Sequence, residues 1–103
     1  MIFWILLDPS ATLDHLGSLV HMLDENDPRP ACEQFHEHYG HGGGWDPFEG
    51  HTLNDDNSIT YPGDPPQYPI AFTRFHDELI CVYDHAWVAI IQPDRSFEIC
   101  RMD

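Results

Sequence analysis

The sequence predicts an α+β fold, in which an antiparallel β-meander of about four to six strands carries two short N-terminal helices packed on one face. Three observations support this class. Short apolar runs separated by brief turns recur towards the end of the chain. Apolar residues in the first third recur at three- and four-residue steps, and the middle is rich in turn residues. A chain of 103 residues with 42% hydrophobic content fits one domain, residues 1–103.

The first third predicts one strand followed by two helices. Residues 2–7 form an apolar run that we interpret as a buried strand and not as an export signal, because neither a positive segment nor a small-residue cleavage site accompanies it. The apolar residues of a first helix then recur at helical spacing: Leu13, Leu16, Val20 and Leu23. The acidic junction 24–28 ends this helix. Pro30 suits the first turn of a second helix, which Gly40 ends.

The rest of the chain predicts turns and then a regular series of strands. Residues 41–67 are dominated by Gly, Pro, Asn and Asp, with one strand near residues 58–61. Four apolar segments separated by two or three polar residues then predict the meander. These predicted strands are residues 70–75, 79–83, 87–92 and 96–102.

The charge of the chain restricts its partners. Eighteen acidic residues face four arginines and no lysine, which gives a formal net charge of −14. Such a field repels nucleic acid and anionic membranes and attracts basic protein surfaces or cations. No run approaches the ~20 apolar residues that span a bilayer. Three widely spaced cysteines without a CxxC pair are typical of reduced thiols, so we expect a cytoplasmic location.

These features favour a non-catalytic acidic binding protein over an enzyme. The expected partner is a basic protein that itself binds nucleic acid, and the expected role is a DNA-mimic-type inhibitor or adaptor of the phage or plasmid accessory type. Adaptation to high salt is another account of the acidity. The predicted partner-binding residues lie on the two helices, their acidic junction and the glycine-rich loop: Asp24, Glu25, Asp27, Glu33, Glu37, Trp45 and Asp46.

A metal- or ligand-binding domain is the first alternative. The segment 36–51 is rich in histidine, and imidazole and carboxylate groups are ligands for zinc or nickel. His36 and His38 point ~200° apart on a helix and cannot share an ion. The predicted ligands are therefore residues that a folded-back glycine-rich loop could bring together: His38, His41, Asp46 and His51.

A small cysteine hydrolase is the second alternative. Cys32 lies near the start of the second predicted helix, four residues before His36, and a strand histidine, His76 or His85, is another possible base. The acidic residues that flank Cys32 disfavour a thiolate. A structural core cysteine is therefore the favoured interpretation.

Overall fold

A five-stranded antiparallel sheet forms the framework of the protein. The computed structural model describes residues 2–16, 19–39, 50–84 and 87–101. The strand order is β1-β4-β5-β6-β7, so that four strands follow one another as a meander and β1 lies at the edge beside β4. The antiparallel sheet that the sequence predicts is confirmed. Its strands are β1 (Ile5–Leu6), β4 (Ala71–Phe75), β5 (Glu78–Tyr83), β6 (Trp87–Ile91) and β7 (Phe97–Arg101).

The central strands are apolar on both faces because both faces are covered. On one face, residues such as Val82, Val88 and Cys100 pack with Leu19 and Phe35 from the helical segments. The opposite face has a second core, which contains the following buried residues: Ile59, Cys81, Tyr83, Ala89, Ile91 and Ile99. The molecule therefore has a helical layer, a sheet and a further layer on the far side of the sheet.

That further layer is a small hairpin, β2 (Thr52–Leu53) paired with β3 (Ile59–Thr60). The buried side chain of Ile59 anchors it on the sheet. Tyr83 donates its hydroxyl hydrogen to the carbonyl oxygen of Asn57 in the hairpin turn, and its ring stacks on Trp87 with centroids 4.2 Å apart. The predicted strand near residues 58–61 contains β3, whereas β2 was not predicted.

The predicted fold class is wrong. The described residues are mostly sheet, and instead of two helices packed on one face they contain one α-helix longer than a single turn, α2 (Ala31–Tyr39). The first predicted helix is replaced by a 3-10 turn (Leu13–Leu16) and a four-residue helix, α1 (Leu19–Met22). Between these pieces the sequence reads Gly17-Ser18, and glycine costs a helix about 1 kcal/mol relative to alanine.

The apolar stripe of the first predicted helix nevertheless reaches the core. Leu16, Leu19 and Leu23 are buried and pack in the cluster that covers one face of the sheet. Burial of these leucines, and not helix propensity, therefore determines the course of the segment, because helical pieces of one turn are not stable alone. Among the described residues, the helices are too short and too polar to cross a bilayer.

The buried carboxylate of Glu78 fixes the start of α2 on the sheet. Its Oε1 accepts a hydrogen bond from the amide of Ala31 at 2.8 Å, and its Oε2 accepts one from Gln92 Nε2 at 2.8 Å. An acceptor at this position satisfies one of the amides that the first turn of a helix leaves without an intrahelical partner. A residue of β5 thus does for α2 what a local N-cap side chain does in most helices.

The first apolar run is not the buried strand that the sequence predicts. β1 pairs with β4 over two residues, Ile5 with Phe72 and Leu6 with Ala71. Ile2 and Trp4 pack against the core, but four large hydrophobic side chains of this run are exposed: Phe3, Ile5, Leu6 and Leu7. The run is exposed because β1 is an edge strand, and the hairpin covers the sheet over β5, β6 and β7 instead.

Candidate functional site

The described surface is predominantly acidic. The structure describes fifteen of the eighteen acidic side chains, and thirteen of these are exposed. Asp27 is half-buried and Glu78 is buried. The three described arginine side chains, Arg29, Arg74 and Arg95, are also exposed. Because exposed carboxylates outnumber exposed arginines so strongly, the acidity is a property of the folded surface as well as of the composition.

Arg29 neutralises part of the segment predicted to bind a partner. Its Nε lies 3.1 and 3.0 Å from the two carboxylate oxygens of Asp27, and its Nη2 donates to Asp27 Oδ2 at 2.6 Å. Its Nη1 forms a second ion pair with Glu37. The hydrogen bonds from Arg29 hold the pKa of Asp27 below its usual range, and those same bonds raise the pKa of Arg29. Asp27 and Glu37 therefore present less negative charge than the sequence suggests.

The other predicted partner-binding residues divide into two groups. Asp24, Glu25 and Glu33 are exposed, and Asp24 Oδ1 accepts a hydrogen bond from the amide of Asn26 at 2.9 Å. Trp45 and Asp46 lie outside the described residues.

The β4–β5 and β6–β7 turns lie at the same end of the sheet, and each is hydrogen-bonded to a different further segment. His76, in the turn from β4 to β5, donates its Nε2 hydrogen to the carbonyl oxygen of Asp27 at 2.8 Å. Arg95, in the turn from β6 to β7, donates to Asn57 Oδ1 and to the carbonyl oxygen of Asn54, both at 2.8 Å. The first bond joins the acidic junction to the β4–β5 turn, and the bonds from Arg95 join the hairpin turn to the β6–β7 turn. We call this region the acidic end, and its carboxylates are Asp24, Glu25, Asp27, Asp55, Asp56, Asp77 and Asp94.

Local hydrogen bonds keep two of these carboxylates charged. Asp56 Oδ1 accepts from the amide of Ser58 at 3.0 Å and from its hydroxyl, and Asp94 Oδ1 accepts from the amide and hydroxyl of Ser96 at 3.0 and 2.6 Å. The bond from the serine hydroxyl has the largest effect and the bond from the serine amide the next largest, and both lower the pKa of the aspartate that accepts them. The acidic end is therefore negatively charged at neutral pH, while the guanidinium of Arg95 is held by the hairpin turn.

A cleft of about 660 Å³ lies between the first apolar run, the acidic junction and β4. Its wall is apolar near Phe3, Ile5 and Phe72, and it carries Glu25, Arg74 and His76 at its polar side. Sequence reasoning missed this cleft because it assigned the first apolar run to the interior. The sequence carries no signal for the cleft, because an uncharged run such as residues 2–7 is typical of a buried strand as well as of an exposed apolar edge.

The predicted metal ligands are not brought together by the described residues. His38 is exposed on α2, and His51 is half-buried beside Tyr61, with ring centroids 4.7 Å apart. His41 and Asp46 lie outside the described part of the chain. Within that part, no group of three or more His, Cys, Asp or Glu side chains is arranged to hold an ion.

The predicted nucleophile, Cys32, lies in an environment that favours the thiol. It is half-buried and packs against the core. Burial raises its pKa first, and the negative charges of Glu98 and Glu78 raise it further. Of the three histidines considered as its base, His85 and the side chain of His36 lie outside the described part of the structure. The third, His76, donates a hydrogen bond to the carbonyl oxygen of Asp27. The described environment thus opposes a thiolate.

Comparison with known proteins gave no relationship. No protein-family model matches the chain, and neither curated proteins nor solved structures gave a match.

Proposed function

We propose that this protein is a non-catalytic binding protein whose acidic end docks on a cationic protein surface of the kind that binds nucleic acid. The observation that carries the proposal is that seven carboxylates lie on four segments, which are hydrogen-bonded in two pairs at the β4–β5 and β6–β7 turns. Charges held on a rigid support do not need to be ordered on binding, so they steer and stabilise a complementary surface at low entropic cost.

The placement of exposed carboxylates on separate turns supports a DNA-mimic type of inhibitor or adaptor. A basic groove that binds DNA contacts phosphates on a rigid backbone, and anions projecting from fixed turns can occupy the same cationic side chains. Asp55 and Asp77 project from two such turns, and both are exposed. A cytoplasmic location belongs to the same proposal, and the three free cysteines are consistent with it.

Two observations favour this role over the alternatives. The thiol of Cys32 has a raised pKa, which opposes the hydrolase chemistry. The described His, Cys, Asp and Glu side chains do not converge on an ion site, which leaves the metal alternative resting on His41 and Asp46.

The test compares two variants with the same change in net charge. D55K/D77K reverses two exposed charges at the acidic end, whereas D64K/D84K reverses two exposed charges in the 61–64 turn and in the turn after β5. A basic nucleic-acid-binding protein is first captured from the native host at low salt. Its affinity for each variant is then measured by fluorescence anisotropy across a salt series, with duplex DNA as competitor.

We expect D55K/D77K to bind at least about tenfold more weakly with a smaller salt dependence, because two close charge contacts are lost. The control D64K/D84K should lose much less affinity, and duplex DNA should displace the wild-type protein. Equal losses in both variants would show that only total charge matters. Failure of DNA to compete would remove the DNA-mimic role.

A further inference from the structure

The edge formed by the first apolar run carries four of the six exposed large hydrophobic residues in the described part of the chain. Phe3, Ile5, Leu6 and Leu7 are 75, 51, 41 and 49% exposed. The other two exposed large hydrophobic residues among those described are tyrosines, which carry a polar hydroxyl. Natural sheets protect their edges with charged residues, proline, bulges or covering segments. The opposite edge, β7, has such protection in exposed Glu98, whereas residues 2–7 contain no charged residue.

We propose that this edge is the interface with a second copy of the chain, formed by antiparallel pairing of the two β1 strands about a two-fold axis. The exposed areas support a dimer contact. At roughly 180–200 Å² for a fully exposed residue of this size, the four side chains leave about 400 Å² of apolar surface per protomer. That is about half of the ~800 Å² that each partner contributes to a standard stable interface, so the paired backbones and the neighbouring side chains supply the other half.

Charge supports a copy of the chain as the occupant of this edge. Residues 2–7 present no carboxylate to a basic partner, and Glu25 in the adjoining cleft lies there together with the cationic Arg74. Such a partner has the rest of the acidic end as its complementary surface. An uncharged apolar strand is complemented by another uncharged apolar strand, and the second copy provides one. This interface is therefore independent of the function proposed above.

The hydrogen bonds of β1 leave its outer side suitable for pairing. The amide of Leu7 donates to the carbonyl oxygen of Ile70 at 2.8 Å, and the carbonyl oxygen of Phe3 accepts from Thr73 Oγ1. Backbone groups of alternate residues point to opposite sides of a strand, so the groups of Trp4 and Leu6 face away from β4. A two-fold axis at Ile5 then places Leu6 opposite Trp4 of the second copy.

This register also matches the exposed side chains. It sets Ile5 against Ile5 of the second copy and Phe3 against Leu7, so all three side chains on one face of each edge meet apolar partners. The two five-stranded sheets become one continuous sheet of ten strands. The two exposed sheet edges that remain are both β7, whose Glu98 opposes further strand addition.

Sedimentation equilibrium of the purified chain tests the proposal, over a concentration series up to about 100 µM at low and at high salt. We expect a dimer whose affinity rises with salt, because each chain carries a net charge of −14 and salt screens the repulsion between copies. A complex with a basic partner shows the opposite salt dependence, so failure of one proposal is distinguishable from failure of the other.

The variant I5K places one lysine of each copy at the centre of the interface and should weaken the dimer at least about a hundredfold. Y61K is the matched control, since Tyr61 is 47% exposed and lies outside the edge. It should leave the dimer constant unchanged within about twofold. Circular dichroism checks the fold of both variants, and F3S provides a second, uncharged test at a more exposed position.

Amide hydrogen exchange gives a direct readout on the wild-type chain. Raising the protein concentration should slow exchange at Leu6 and Trp4, whose amides face the second copy. A chain that stays monomeric at every concentration and salt overturns the proposal. So does a dimer that I5K and F3S leave intact, a dimer that Y61K weakens equally, or assembly that continues beyond the dimer.

Discussion

Replacement of Glu78 tests how α2 is held on the sheet. Its carboxylate is 2% exposed and accepts from the amide of Ala31 and from Gln92 Nε2, each at 2.8 Å. E78A removes both acceptors and leaves the buried amide of Ala31 and the part-buried side-chain amide of Gln92 without their protein partner. An unsatisfied buried donor costs about 1–3 kcal/mol, and part of this is recovered because a buried carboxylate no longer has to be desolvated. We expect E78A to lower the free energy of unfolding by about 2–4 kcal/mol.

The isosteric variant separates hydrogen bonding from charge. E78Q keeps an acceptor for the amide of Ala31, and Gln92 can rotate its amide group to present its oxygen to the new NH2 group. What is lost is the negative charge at the start of a helix, which is worth about 0.3–2 kcal/mol. E78Q should therefore cost about 1 kcal/mol, and D77A, at the exposed neighbouring carboxylate, about 0.5 kcal/mol or less.

Urea unfolding at 25 °C, followed by tryptophan fluorescence and far-ultraviolet circular dichroism, measures these free energies. The order E78A, then E78Q, then D77A is the expected one. Equal costs for E78A and E78Q would show that charge and not acceptor geometry fixes the helix. A cost below about 1 kcal/mol for E78A would refute the assignment of Glu78 as the cap of α2, because a domain of this size has only ~5–15 kcal/mol of stability.

Three further predictions concern the arginines and the thiol. Arg95 has a φ of 71° and donates a hydrogen bond to the hairpin turn. Both R95A and R95G lose this bond, but glycine adopts a positive φ freely, so R95A should lower the melting temperature more than R95G. Equal losses in melting temperature would contradict this. The pKa of Asp27 should lie below its usual 3.8 in a carboxyl NMR titration and return towards it in R29Q. Because the pKa of Asp27 is depressed in the folded state, its contribution to stability is fully present at pH values above its pKa in the unfolded chain. That contribution is lost as the pH falls through its pKa in the folded protein. An Asp27 titration that is identical in the wild-type protein and in R29Q would contradict the ion pair. Cys32 should react slowly with iodoacetamide at pH 7 and faster only towards and above pH 9, because its pKa is raised from 9.0; rapid labelling at pH 7 would restore the hydrolase alternative.

The strands of the meander could be predicted because their signal is local. Residues 71–75 alternate in burial, and residues 79–83 of β5 and the whole of β6 are continuous apolar segments bounded by polar residues. Such patterns depend on neighbouring residues, so one sequence is sufficient to find them. The pair of helices could not be predicted in the same way. Leu16, Leu19 and Leu23 have helical spacing, but burial against the sheet is satisfied by a broken path as well as by a continuous helix.

The site depended on contacts that are distant in sequence. Arg29 pairs with Asp27, only two residues away in the sequence. Its second partner, Glu37, lies eight positions further along the chain, within α2. The bonds from His76 to residue 27 and from Arg95 to residue 57 span 49 and 38 positions. They join the acidic turns in pairs, and a list of acids along the chain does not show these pairs.

The exposed state of β1 has the same kind of cause. An apolar run of six residues predicts burial correctly for a central strand, but burial of an edge strand depends on what lies beside it. Here the covering hairpin packs over β5 to β7 and leaves Phe3 and Ile5 exposed. Pattern alone does not distinguish a strand buried by its own chain from a strand to be buried by another.

The proposed dimer and the proposed docking surface are geometrically compatible. The acidic end lies where β4 passes to β5, at one end of the strands, whereas β1 forms a lateral edge. Antiparallel pairing of two β1 strands reverses the strand direction of the second copy, so the two acidic ends point in opposite directions. This arrangement keeps the two groups of seven carboxylates apart and lowers the repulsion that opposes association. It also presents two separate docking surfaces, so a partner with two basic sites would bind the dimer more tightly than I5K monomers, without any new contact.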